Sequence, residues 1–123
     1  MKRKFRLNRS TDFQRVRQDG KSYAHPLLVL IALPNDGASI QIGVAAGRAV
    51  GGAVQRSKAK RWLREATRPL LPKICPGWDV ILLARRSIMQ ADFQQVQSAL
   101  ESLLKRAHLL QDGDDRTSAP PAG

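Results

Sequence analysis

One cysteine, Cys75, occurs in the chain, which excludes an intrachain disulfide and any multi-cysteine metal site and leaves a reduced thiol as the default. Long apolar runs are missing as well. The longest, residues 27–33, falls far short of the roughly 20 residues a bilayer-spanning helix needs. The basic stretch from Met1 to Arg9 is not followed by the apolar core of a signal peptide, so the expected location is the cytoplasm, with no membrane partner. Histidine is scarce: His25 and His108 stand without cysteine or carboxylate companions at ligand spacing, and structural or solvent roles are expected for both. There are no paired carboxylates at metal spacing and no activated nucleophile, so no residue is nominated as catalytic or metal-ligating. Acids are outnumbered: 10 Asp and Glu face 21 Lys and Arg, for a net charge of +11. With a pI near 11.1, this is the electrostatic signature of a nucleic-acid binder.

The 123 residues, 42% of them hydrophobic, suffice for one small domain with a packed core and no large catalytic cavity. Residues 1–110 are assigned to that domain. Residues 111–123 form an acidic tail rich in Pro and Ser, expected to be disordered and dispensable for folding. Because the tail carries Asp112, Asp114 and Asp115 against Arg116, the domain alone is more basic still.

Along the chain, Ser10, Thr11 and Asp12 offer caps for a short first helix that stops at Gly20. Residues 23–33 read as one strand, Pro34 to Gly37 as a turn, and residues 39–46, with Ile40, Ile42 and Val44 alternating, as a second strand. After a basic helix and a proline-punctuated loop, residues 78–84 (WDVILLA) look like a buried strand. From Ala91 onward, Phe93, Val96, Leu100, Leu103, Leu104 and Ala107 recur at helical spacing and predict a closing amphipathic helix. The expected fold is an α/β sandwich built on a central sheet, in the order α-β-β-(β)-α-β-α.

The most informative segment is residues 47–68, GRAVGGAVQRSKAKRWLREATR, where Arg48, Arg56, Lys58, Lys60, Arg61, Arg64 and Arg68 face a single acid, Glu65. Residues 54–68 contain no Gly or Pro and predict a helix. At about 100° per residue, Ala59, Trp62, Leu63 and Ala66 share one arc, while Arg56, Lys60, Arg61, Arg64 and Arg68 share the next. The like charges at i, i+4 each cost an isolated helix roughly 0.2–0.5 kcal/mol, which phosphates would relieve. A merely solvated face would mix its signs, and a membrane face would need more large apolar residues than Trp62 and Leu63. Gly47, Gly51 and Gly52 lack the spacing of a nucleotide-binding loop. They suit a tight turn into the helix, whose first amides stay free for an RNA phosphate.

This segment resembles the arginine-rich signature of the bacterial ribonuclease P protein family. Asp12-Phe13, Gly43-Val44, Gly51-Ala53-Val54 and Ala84-Arg85 follow in the family's order, so the resemblance covers about residues 3–110. Two positions depart from it: the usual Arg-Asn-Arg stands as Arg56-Ser57-Lys58. Ser57 lacks an amide, and Lys58 lacks the planar fork that grips phosphate bidentately. The resemblance implies a fold like the second domain of ribosomal protein S5, with a left-handed βαβ crossover against the usual preference. It implies that Arg48, Arg56, Ser57, Lys58, Lys60, Arg61, Arg64 and Arg68 bind the catalytic RNA. It further implies a cleft for the 5′ leader of precursor tRNA, lined here by Arg9, Phe13, Arg17 and Ile31. Phe13 could stack on an unpaired base or serve in ordinary helix-to-sheet packing, and Ile31 reads as core or cleft wall.

The implied activity is assistance to RNA-catalysed, Mg²⁺-dependent removal of the leader, with Mg²⁺ at the RNA site and no cofactor held by the protein. A general or ribosomal RNA-binding module without leader preference is the alternative. A protein-only nuclease is a third reading, and the missing carboxylate cluster opposes it.

Overall fold

The computed structural model describes residues 10–35, 37 and 39–111. The first helix, α1 (Ser10–Asp19), leads into β1 (Lys21–Ala24), β2 (Leu28–Pro34) and β3 (Ile40–Ala46). The basic helix α2 (Ala53–Thr67) follows, then a 3-10 turn over Arg68–Lys73, β4 (Trp78–Ala84), a second 3-10 turn over Arg86–Gln90, and α3 (Phe93–Arg106). One four-stranded sheet results, in the order β1-β2-β4-β3. Its β1–β2 and β2–β4 pairs are antiparallel, while β3 and β4 run parallel with α2 as their crossover.

The stretch read as one strand over residues 23–33 is two. Pro26 has no N–H to give a ladder, and the chain reverses around it. The His25 N–H donates to the Leu28 carbonyl at 2.9 Å, and the Leu27 N–H donates to His25 Nδ1 at 3.1 Å, closing the turn. His25 thus has the structural role expected of it. The third strand held open in the predicted order is β1.

Both faces of β2 and β4 are covered, which explains their continuous rather than alternating apolar sequence. Leu28, Leu30, Val80 and Leu82 meet Ala59, Leu63 and Ala66 of α2 and Val96, Leu100 and Leu103 of α3 in the main core. Ile31 and Ile81 point the other way and meet Val16 of α1 in a smaller cluster. The sheet therefore separates the face under α1 from the face under α2 and α3.

Local chemistry fixes the helix ends. The Asp92 side chain accepts from the Gln95 N–H at 2.8 Å while Gln95 returns a bond to the Asp92 N–H at 2.9 Å, a capping box at the start of α3. At its end the Leu109 N–H reaches the Leu104 carbonyl at 2.9 Å and the His108 N–H reaches that of Lys105 at 3.0 Å. This Schellman arrangement puts His108 at φ 59°, a conformation glycine adopts more cheaply. Of the tail assigned to residues 111–123, all but Gln111 lies outside the described residues.

Candidate nucleic-acid interface

Helix α2 buries Ala59, Leu63, Ala66 and Thr67. Thr67 donates its hydroxyl to the Leu63 carbonyl at 2.7 Å, which satisfies a polar side chain inside the core. Trp62 sits at the edge of this face, half-buried, with its ring edge-on to Phe93 at 6.3 Å between centroids. Trp78 is likewise only partly buried against the core.

The charged arc differs from a straight i, i+4 stripe. Each four-residue step turns the helix by about 40°, so a stripe beginning at Arg56 winds across the surface as it proceeds. Arg56, Lys60 and Arg64 are half-buried along the flank, while Ser57, Lys58, Arg61 and Arg68 are exposed. The outward face is thus centred on Arg61 and Arg68, with Ser57 between the flank and the crest. Arg56 reaches inward: its Nε is buried, with no hydrogen-bond partner among the described residues. The Lys58 ammonium lies 4.9 Å from the centroid of the Trp62 ring, a cation–π contact that steadies a long side chain at the surface.

Arg48 is exposed in the turn between β3 and α2, where the Val50 and Gly51 N–H groups donate to the Gly47 and Arg48 carbonyls, both at 3.1 Å. Gly51 has φ +146°, and a Cβ there would lie 2.9 Å from that of Gln55, so this position requires glycine. Gly52 caps α2 without any side-chain bond, which leaves the first amides of the helix to solvent or to an anion. Val54, 79% exposed, stands in that same first turn.

On the opposite face, the residues nominated for a leader cleft separate. Arg17 is exposed on the last turn of α1. Phe13 is half-buried and packs on the small cluster with Val29, Leu33 and Leu83, so it serves helix-to-sheet packing while part of its surface stays accessible. Ile31 is 5% exposed beneath Val16, a core position with almost no surface to offer a ligand. Arg9 lies outside the described residues.

Helix α1 is also tied to the sheet by a buried carboxylate, a group to which no role was assigned above. Asp79, 3% exposed in β4, accepts from Arg15 Nη2 at 2.5 Å and from Asn35 Nδ2 at 2.8 Å. The hydrogen bond to Asp79 also raises the Arg15 guanidinium above its usual pKa. The same Asn35 side chain accepts from the Gly37 N–H at 2.8 Å, joining the β2–β3 turn to the network. An acid inside the otherwise apolar run WDVILLA was the available signal, since a buried Asp is rare without a partner.

Among the described residues, no three His, Cys, Asp or Glu are grouped to hold a metal ion, and no helix is long and apolar enough to cross a membrane. The exposed groups that stand out among the described residues are the cations of α2 and of the turn before it.

Known proteins share this arrangement along nearly the whole chain. Residues 1–108 match the family described as Ribonuclease P. The "Ribonuclease P protein component" of Herpetosiphon aurantiacus is 41% identical over 112 residues, covering 91% of each chain. That of Roseiflexus sp. is 39% identical over 119 residues, covering 96% of this chain and 98% of its own. Among solved structures, the RNase P protein of Staphylococcus aureus superposes with a TM-score of 0.79 at 30% identity over 86% of this chain and 97% of its own. That of Thermotoga maritima gives 0.74 at 31% over 82% and 96%. With family, sequence relatives and fold in agreement, the chain belongs to the ribonuclease P protein family.

Proposed function

We propose that this protein is the RNA-binding subunit of ribonuclease P, docking through α2 onto the catalytic RNA and offering the α1 face to the 5′ leader of precursor tRNA. The observation that carries the reading is the division of surfaces by the sheet. A cationic helix crest with a glycine-opened N-terminus lies on one side, and a half-exposed Phe13 with Arg17 lies on the other. The crest suits a folded RNA backbone, which is held by phosphate contacts. A part-exposed aromatic one helical turn from an exposed guanidinium suits an unpaired strand, which is held by stacking and charge together.

In this reading the RNA does the chemistry, with Mg²⁺ bound on the RNA, and the work is cytoplasmic. The protein neutralises phosphates, favours metal occupancy at the RNA site and raises affinity for precursor over mature tRNA. The test is competition binding of precursor and mature tRNA to the cognate RNA with and without the protein. A preference for the leader that appears only with protein supports the reading. Equal strengthening of both tRNAs would favour the general RNA-binding alternative.

A further inference from the structure

Helix α1 rests on the sheet through little apolar surface. Val16 is its one buried residue, set against Ile31 and Ile81, and Phe13 adds a half-buried ring. At about 100° per residue, Phe13 lies about 60° to one side of Val16, with Arg17 about 40° beyond it, while Arg15 lies about 100° to the other side. Val16 is therefore a pivot, with Phe13 and Arg17 on one flank and Arg15 on the opposite one. Apolar contact is non-directional, so a single aliphatic pivot fixes where the helix sits but not its roll.

The roll is set on the Arg15 flank. Arg15 Nη2 donates to Asp79 Oδ2 at 2.5 Å and lies 3.6 Å from Asp12 Oδ1, three residues back on α1. Asp79 is itself held from behind: its Oδ1 accepts from Asn35 Nδ2 at 2.8 Å, and the Asn35 N–H donates to the Gly77 carbonyl at 2.9 Å. The acceptor is thus fixed by the end of β2 and the start of β4, where Asp79 registers with Leu33. A hydrogen bond between ionised partners is directional and roughly twice as strong as a neutral one, so it supplies the constraint that Val16 does not. Asp79 would otherwise be misplaced, because a buried carboxylate costs stability unless paired and repels phosphates near it.

We infer that Asp79 is a positioning residue for recognition of the 5′ leader: through Arg15 it fixes the roll of α1, and with it the height at which Phe13 and Arg17 stand above the sheet. The inference rests on the leader-facing role proposed for α1 above and names the group that sets it. A positioning role and a purely electrostatic one differ in sign. Acting only through its charge, Asp79 would oppose the leader, and neutralising it would leave this face one charge more positive and strengthen leader binding. Acting through Arg15, its neutralisation weakens the leader preference even though the face has become more basic.

The experiment measures the affinities of precursor and mature tRNA for the complex of cognate ribonuclease P RNA with the full chain, at protein concentrations that saturate the RNA and with correction for the folded fraction. It compares wild type, Asp79→Asn, Arg15→Met, the double variant Arg15→Met/Asp79→Asn, Arg15→Lys and Phe13→Ala/Arg17→Ala. Asp79→Asn and Arg15→Met should each lower the precursor-to-mature affinity ratio by roughly three- to tenfold, a part of what one stacked base contributes. The double variant should lose no more than the worse single one, because the two side chains act as a unit. Arg15→Lys, which keeps a charged donor, should recover most of the loss. A ratio that stays at wild type or rises in Asp79→Asn, or losses that multiply in the double variant, would overturn the inference. The double variant carries the same net charge as wild type and leaves no buried charge unpaired, so it decides the matter where a single variant fails to fold: a wild-type ratio there overturns the positioning role. A wild-type ratio in Phe13→Ala/Arg17→Ala would overturn the leader-facing role of α1 itself, whereas loss there with wild-type ratios in Asp79→Asn and the double variant would overturn Asp79 alone.

Discussion

Replacing Gly20 with alanine should lever α1 away from the sheet. A Cβ at this position would lie 2.5 Å from the Val16 carbonyl oxygen, 2.8 Å from Ile31 Cγ2 and 3.0 Å from the Ala32 carbonyl oxygen. Two of these atoms belong to the backbone of α1 and β2, so no side chain can swing aside to relieve both contacts. Overpacking of this kind costs about 1–3 kcal/mol out of a typical total of about 5–15 kcal/mol. For a domain of this size, that corresponds to a fall in melting temperature of roughly 4–12 °C. The functional consequence should be selective, because α1 carries Phe13 and Arg17 while α2 lies across the sheet. Thermal melts combined with tRNA competition provide the assay: lower stability, a reduced preference for precursor tRNA, and binding of the catalytic RNA within about twofold of wild type after correction for the folded fraction. An unchanged melting temperature would refute the packing argument, and a lower one with full leader preference would refute the role given to α1.

Leu63→Ala should cost about 3–5 kcal/mol, because Leu63 is fully buried between α2 and the rest of the core, and denaturant titration would measure it. Substituting glycine for His108 should stabilise the fold by about 0.5–1 kcal/mol by removing the side chain from a left-handed position, with the gain read as a higher denaturant midpoint at constant slope. Arg61→Ala/Arg68→Ala removes two exposed cations from the crest of α2. It should flatten the salt dependence of RNA binding by about two in log–log slope while leaving the circular dichroism spectrum intact. Burial pushes the Cys75 thiol above its usual pKa, so its alkylation should be slower at pH 8 than that of a free thiol, with the midpoint displaced to higher pH.

Much of the fold could be read from residue patterns, and the exceptions have local causes. The run WDVILLA and the alternation of Ile40, Ile42 and Val44 mark two strands because burial writes itself directly into apolar residues. Residues 23–33 mislead because Lys21–Ala24 and Leu28–Pro34 are both β-like, and only Pro26 hints at the reversal between them. The charges of α2 are legible in the sequence, but helical drift turns Arg56 inward and leaves Arg61 and Arg68 at the centre of the outward face. Asp79 and Arg15 stand 64 residues apart in sequence, so their ion pair follows from topology that no local pattern encodes.

A protein that acts with a catalytic RNA rather than alone should leave precursor tRNA uncut by itself. The direct measurement is cleavage of a leader-bearing precursor tRNA at low Mg²⁺ by the cognate ribonuclease P RNA, with the protein, without it, and with the protein alone. The expected result is accurate removal of the leader, strongly stimulated only when both components are present. Cleavage by the protein alone, or a rate for the RNA unchanged by its addition, would contradict it.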